Sequence, residues 1–228
     1  MNVAILRTGS PPDALLSRFG EYDGMFARLL GAEFETTGYD VRRGEYPVAV
    51  EDHRAYLISG SPAGVYDLLP WIAPLEDFLR AARGKAKLVG ICFGHQVMAE
   101  AFGGRVEKSE RGWGVGLQDY EIWQRPGWMA GAPATIAVPV SHQDQIVALP
   151  PDSEVLAANA FSPFGMLAYP GQHAISMQFH PEFEPDFARA LIEARRAVLP
   201  DPDTAIASLS APDDRPTVAT WIRRFLAG

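Results

Sequence analysis

Short strand candidates recur along the first half of the chain, apolar at Val3 to Leu6, Ala55 to Ile58 and Lys87-Leu88-Val89 and more polar at Phe34 to Val41, each bounded by polar or glycine-containing stretches. Runs of this length without strict alternation read as strands buried on both faces. Between them the period changes. Met25 to Leu30 is helical in pattern, and in Trp71 to Ala82 the residues Trp71, Leu75, Phe78 and Leu79 fall on one helical stripe, the face that would pack on a sheet. A further helix is expected through His95, Gln96, Val97, Met98, Ala99 and Glu100, stopped by Phe102-Gly103-Gly104. Strands alternating with helices predict an α/β fold, a doubly wound and mostly parallel central sheet flanked by helices. The pattern then shifts: Arg105 to Lys108, Gly114 to Ile122, Thr135 to Val140, Glu154 to Ala158, Met166 to Tyr169 and Ala174 to Phe179 are strand candidates without a long helix between them. Such a run predicts a small antiparallel extension before the last strand rejoins the core. Pro185 opens a helix carrying Phe187, Leu191 and Ile192, proline being at home in a first helical turn. The division expected is one domain over 1–199, a proline- and aspartate-rich surface linker over 200–215, and a C-terminal helix within 216–228 docked on the same domain.

Composition is compatible with that picture. At 228 residues and 47% hydrophobic content the chain can bury the core of one domain. A formal net charge of −8, with basic clusters no longer than pairs such as Arg42-Arg43 and Arg195-Arg196, leaves no electrostatic footprint for nucleic acid. Those pairs read as solvated faces. The first residues form a short apolar strand rather than a signal peptide, and no stretch is long enough to span a bilayer. With one cysteine suited to a reducing compartment, a cytoplasmic protein with no membrane partner is expected.

That cysteine carries the most chemical information. Gly90-Ile91-Cys92-Phe93-Gly94 follows an apolar strand and precedes a helix, a frame in which small flanking residues permit a sharp turn with the side chain at its tip. The helix N-terminus aims partial positive charge and free N–H groups at the sulfur, favouring thiolate. Of the five histidines, only His180, in Gln178-Phe179-His180-Pro181-Glu182, comes at the end of a strand with a carboxylate two residues on. Glu182 would fix the imidazole tautomer that faces Cys92, giving nucleophile, base and orienter. Gln96 lies one helical turn from Cys92 on the same face. His95 and His142 read as structural, His53 and His173 as surface residues. The chain has no second cysteine and no His-x-x-x-His, so no metal is expected at Cys92, His180 and Glu182; nor is a cofactor, because Gly112-Trp113-Gly114-Val115-Gly116 does not join a strand to a helix as a phosphate loop does.

Taken together, Gly90-Ile91-Cys92-Phe93-Gly94-His95-Gln96 and Phe179-His180-Pro181-Glu182 resemble the class I, triad-type glutamine amidotransferases. Leu57-Ile58-Ser59-Gly60-Ser61-Pro62, Val140-Ser141-His142-Gln143-Asp144 and Arg111-Gly112-Trp113-Gly114-Val115-Gly116 add to the likeness, which runs over about residues 1–195. It is nearest the free-standing branch similar to the amidotransferase domain of GMP synthase and to γ-glutamyl peptidases. The resemblance implies a flavodoxin-like fold and glutamine or another γ-glutamyl compound as substrate. It further implies Cys92, His180 and Glu182 as the triad, and an oxyanion hole from the backbone N–H groups of Phe93 and of Gly60 or Ser61. The Gln96 amide would contact the substrate, and Ser141 with the backbone of Gln143 and Asp144 would receive its ammonium and carboxylate. Ser61 departs from the family, which usually has glycine there, and is strained if that position needs a positive φ. Three functions are consistent with these residues: a glutaminase-type amidotransferase feeding a synthetase partner, a γ-glutamyl peptidase, and a binding or regulatory protein that keeps the fold without turnover. The leaving-group side is expected near Tyr22 or the segment Tyr120 to Met129, where Trp123, Trp128 and Met129 are either a lid or core.

Overall fold

The strand β1 (Asn2–Arg7) shows why the chain folds in layers. Its residues Val3 and Ile5 join one hydrophobic cluster and Ala4 and Leu6 the other, so both faces of the sheet must be covered by helices. The computed structural model describes residues Met1–Gly228. After β1 come α1 (Asp13–Phe19), α2 (Tyr22–Leu30), β2 (Glu35–Asp40), β3 (Ala55–Ile58), α3 (Ile72–Ala82), β4 (Lys87–Ile91) and α4 (Phe93–Ala101). There follow β5 (Arg105–Lys108), β6 (Gly114–Ile122), β7 (Thr135–His142), β8 (Asp144–Ala148), β9 (Glu154–Ala158), β10 (Met166–Tyr169), β11 (Ala174–Met177), α5 (Pro185–Ala194), α6 (Pro202–Ser208) and α7 (Arg215–Ala227).

Nine strands form one sheet in the order β2-β1-β3-β4-β11-β10-β9-β6-β7. The β2, β1, β3, β4 and β11 strands pair in parallel, and the remaining ones extend the sheet antiparallel. On one face lie α2, α5 and α7, with Phe26, Phe187, Leu191, Trp221 and Ile222 in the core; on the other lie α3 and α4, with Leu75, Leu79, Val97 and Met98. No helix is long and apolar enough to cross a membrane.

The antiparallel extension differs in detail from the expected one. β5 leaves the main sheet and pairs with β8 in a two-stranded ribbon. β8 has no clear alternation in its sequence, and its pairing partner lies more than thirty residues upstream, so its strand character is a tertiary effect. The last strand stops at Met177: Gln178 donates its N–H to Gly165 O at 2.9 Å and His180 donates to Pro139 O at 2.8 Å. Pro139 lies in β7, an edge strand where a missing N–H is tolerated, and its carbonyl fixes where His180 sits.

The segment 200–215 is not simply a surface linker. Asp201 caps α6 by accepting from the Thr204 N–H at 3.1 Å, and Ala205 and Leu209 are buried. α6 rests on Gly116 of β6, where φ is +85° and a β-carbon would stand 2.6 Å from Ser208 Oγ and 2.9 Å from Ala205 O. Short apolar content concealed this helix, because only one residue of the helix itself is buried. Gly116→Ala should lower the urea midpoint by the equivalent of about 1–3 kcal/mol, from overpacking together with the loss of a residue suited to that φ. An unchanged midpoint would mean that α6 is not docked there in solution. Beyond it, α7 buries Val218, Trp221, Ile222 and Leu226.

Candidate active site

Three neighbouring parallel strands deliver the central residues. In register, Ile58 of β3 pairs with Gly90 of β4, and Ile91 of β4 with Met177 of β11. The chain emerging from each therefore places Gly60, Cys92 and His180 at the same carboxyl edge, where open α/β sheets bind ligands. A β-carbon built on Gly60 would stand 3.1 Å from His180 Cε1 and 3.7 Å from Cys92 Cβ. Glycine is needed at 60 because cysteine and histidine meet there.

Cys92 has φ 53° and ψ −104°, a backbone state costing about 1–3 kcal/mol in a non-glycine residue. Its two flanking glycines make that turn possible. A β-carbon on Gly90 would lie 2.5 Å from Gly94 O and 2.6 Å from Met98 Sδ, and one on Gly94 would sit inside the Ile58 carbonyl. The Gly94 N–H is committed to Ser59 O and that of Gln96 to Cys92 O, both at 3.1 Å. The N–H of Phe93, first in the helix, has no carbonyl one turn back within the helix to bind.

His180 and Glu182 are buried, with Nδ1 of the imidazole 2.7 Å from Oε1 of the carboxylate. Burial opposes a charged imidazole, but the Glu182 carboxylate and the Cys92 sulfur outweigh it and push His180 up to about 10. The ring lies flat against Phe183, with centroids 3.9 Å apart and planes 5° apart. An imidazolium held beside a sulfur is the electrostatic condition for a nucleophilic thiolate.

These groups open into a cleft of about 460 Å³. Gln96, Ser141, Gln143 and Asp144 all line it, as do Gly60 and Ser61. Gln96 spends both amide hydrogens on Asp144 O at 2.8 Å and Gln178 Oε1 at 3.1 Å, so only its oxygen is uncommitted. Ser141 Oγ accepts from Arg195 at 2.9 Å. Positive φ among non-glycine residues is confined to Cys92, Asp152 and His173, so the strain foreseen at Ser61 is absent. Burial holds the Asp144 carboxyl above its usual range, against the Tyr66 hydrogen bond and the Lys108 charge.

Several residues stand elsewhere than the sequence suggested. His53 is buried rather than on the surface, bonded to Tyr39 Oη at 2.9 Å and Asn2 Oδ1 at 3.0 Å, whereas His173 is exposed. His95 and His142 are both buried, which lowers them to about 3 and about 4; His95 is bonded to Ser176 Oγ and Phe164 O, while His142 also borders the cleft. Met129 is core, and Trp128 packs on Phe225 at the far end of the sheet, so the Tyr120 to Met129 segment contributes nothing to the cleft. Tyr22 does line it, together with Trp113, Phe183, Leu191 and Val198. Arg195 is not a solvated face; it lies in the cleft wall with its guanidinium 5.8 Å from the Trp113 ring centroid. Neither Arg195 nor Tyr66 carries a local sequence signal, because each reaches the site from the end of a helix or loop whose path the fold decides.

Residues 26–196 match the profile of the family described as glutamine amidotransferase class-I. γ-Glutamyl peptidase 4 of Arabidopsis thaliana is 30% identical over 80% of this chain and 76% of its own. The glutamine-hydrolysing GMP synthase of Thermomicrobium roseum is 38% identical, over 57% of this chain but 23% of its own. A glutamine amidotransferase structure from Thermotoga maritima superimposes with TM-score 0.80, covering 100% of this chain and 99% of that one at 17% identity, a likeness of fold.

Proposed function

Since the chain belongs to the class-I glutamine amidotransferase family, we propose that it hydrolyses γ-glutamyl amides through a thioester on Cys92, with His180 as acid and base and Glu182 as its orienter. The observation carrying this reading is the strained Cys92 and His180 lining one cleft, with Glu182 buried behind and bonded to the imidazole at 2.7 Å. Cys92 Sγ attacks the γ-carbonyl carbon, and the C–N bond breaks as His180 passes its proton to the departing amine. Water, deprotonated by the same imidazole, then cleaves the thioester to glutamate and restores the thiolate. The oxyanion is met by the Phe93 N–H and, we infer, by that of Ser61. Thr8 Oγ1 is 3.0 Å from Gly60 O in the buried floor beneath the loop. In a trans peptide the Ser61 N–H points opposite that carbonyl, toward the cleft. Each such donor contributes about 3 kcal/mol to lowering the barrier. Gln96 Oε1, Ser141, Gln143 and Asp144 would hold the amino-acid end. The intact triad argues against a purely regulatory protein.

One feature favours a γ-glutamyl peptide over glutamine as substrate. Tyr22, Trp113, Leu191 and Val198 build an aromatic and apolar wall with Arg195 set in it, and departing ammonia needs no such wall. The test measures amine release from a γ-glutamyl dipeptide beside ammonia release from glutamine. Arg195→Ala should raise KM for the dipeptide about tenfold, the scale of a lost charge-assisted hydrogen bond, and raise that for glutamine less, through the bond lost to Ser141 Oγ. Equal losses on both would place Arg195 at the glutamyl end instead, and silence on both with wild-type protein would direct attention to a synthetase partner.

A further inference from the structure

The loop after β3 that carries Gly60 and Ser61 is anchored unevenly. At its root, Thr8 and Ser59 exchange hydrogen bonds with one another and with Gly60 O, and on its inner side Val65 is buried in the core. Within the loop, Ala63 N–H donates to Ser61 Oγ at 3.2 Å and Gly64 N–H to Asp67 Oδ2 at 2.9 Å. One side-chain hydrogen bond crosses from this loop to the opposite wall of the cleft: Tyr66 Oη donates to Asp144 Oδ1 at 2.8 Å. Tyr66 is half exposed, so burial of its ring does not explain why it is held across the mouth.

A second observation points the same way. The Tyr66 ring lies directly over Gly64, where a β-carbon would come within 2.8 Å of ring atoms Cε2 and Cζ and 3.1 Å of Asp144 Oδ2. Gly64 has no positive φ, so its lack of a side chain serves this close approach and not a backbone turn. On the far wall, Asp144 O accepts from Gln96 at 2.8 Å, and Gln96 in turn binds Gln178, two residues before His180. The bond from Tyr66 thus closes a chain of contacts from the oxyanion loop, through the turn after β7, to the helix behind Cys92 and the segment bearing His180.

We propose that Tyr66 is a positioning residue, whose bond to Asp144 tethers the Gly60–Asp67 loop across the cleft and so fixes the second oxyanion donor. It acts through the loop and does not touch the sulfur or the imidazole. The inference rests on the proposed acyl transfer for its catalytic consequence, while the tether itself does not. Two variants address it, Tyr66→Phe, which removes the hydroxyl alone, and Gly64→Ala, which keeps the hydroxyl but displaces the ring. Three readouts are needed: amide hydrogen exchange over Ser61–Asp67, alkylation of Cys92 by iodoacetamide, and turnover of glutamine and a γ-glutamyl dipeptide.

Both variants should exchange faster in that loop and lose about tenfold in kcat on either substrate, the scale of one hydrogen bond to a charged acceptor. Alkylation should proceed at the wild-type rate, because Cys92, His180 and Glu182 are untouched. Unchanged exchange in Tyr66→Phe would overturn the tether whatever the activity does. Faster exchange with full kcat would overturn the positioning role. A wild-type protein inert toward both substrates, with the loop still loosened in the variants, would overturn hydrolysis by the isolated chain, pass the question of turnover to a synthetase partner, and leave the tether standing.

Discussion

Cys92→Ala is expected to lower turnover of every γ-glutamyl substrate by about 10⁴-fold or more, the scale seen when an acyl-transfer enzyme loses its nucleophile. The site has no substitute: Cys92 is the only cysteine in the chain, and the hydroxyl groups lining the cleft stand on other elements, Ser61 and Tyr66 in the loop after β3, Ser141 in β7 and Tyr22 in α2. Ser61 Oγ already accepts from Ala63 and Ser141 Oγ from Arg195. Folding should survive, since the removed atom is one sulfur. Cys92→Gly makes the point more sharply. At φ 53° glycine relieves the backbone strain that cysteine bears, so this variant should be equally inactive and yet no less stable, or more stable by up to about 1 kcal/mol. A residue retained where it costs stability is retained for chemistry. The paired measurement is steady-state amine or ammonia release beside a urea melt, with mass spectrometry of the Cys92 peptide to catch the γ-glutamyl thioester in wild type. Substantial activity in Cys92→Ala would remove the thioester mechanism altogether.

The strained turn was legible in sequence because its cause is local: two glycines around a cysteine, between an apolar strand and a helix, leave few other geometries. Likewise the strands that bracket the site are visible, since Ala55–Ile58 and, after the half-buried Lys87, residues 88–91 are buried on both faces and carry no charged or strongly polar side chain. The ends of elements and the short ones were harder. β8 and α6 have their pairing partners or supporting surface far away in sequence, at β5 and at Gly116, and α1 buries no residue at all. Histidine burial was misjudged at His53 because its neighbours Glu51, Asp52 and Arg54 are exposed and only the ring turns inward to Tyr39 and Asn2. The cleft walls were the least visible part. Arg195 is one of two adjacent arginines; its neighbour Arg196 is a surface residue paired with Glu193 and Asp203. Which of the two faces the site depends on where α5 ends, and helix termini are not fixed by periodicity.

Glu182→Gln is the second large effect expected, and it separates the orienting role from mere packing because glutamine keeps the size of the side chain. In wild type the His180 value of about 10 is a balance: burial works against the proton, while Glu182 and then Cys92 hold it. Removing the carboxylate's charge tips that balance toward burial, so His180 loses its proton at lower pH and the sulfur loses a cationic neighbour. Glutamine can also donate to Nδ1, which places the ring proton on Nε2, the tautomer that cannot accept the proton of the Cys92 thiol. Loss of a charged orienter with geometry retained costs about 10²- to 10⁴-fold in kcat. The pH dependence carries the sign. His180 is raised above the unfolded value of about 6.5, so its charged form contributes stability that is full below that value and is lost as pH rises through about 10. Glu182→Gln should therefore move the alkaline limb of kcat/KM to lower pH, and across this window the stability gap to wild type should be widest near pH 6.5 and close toward 10. An alkaline limb that stays where it is in wild type would assign that limb to a group other than His180, whereas a kcat close to wild type would make Glu182 a packing residue beside the site.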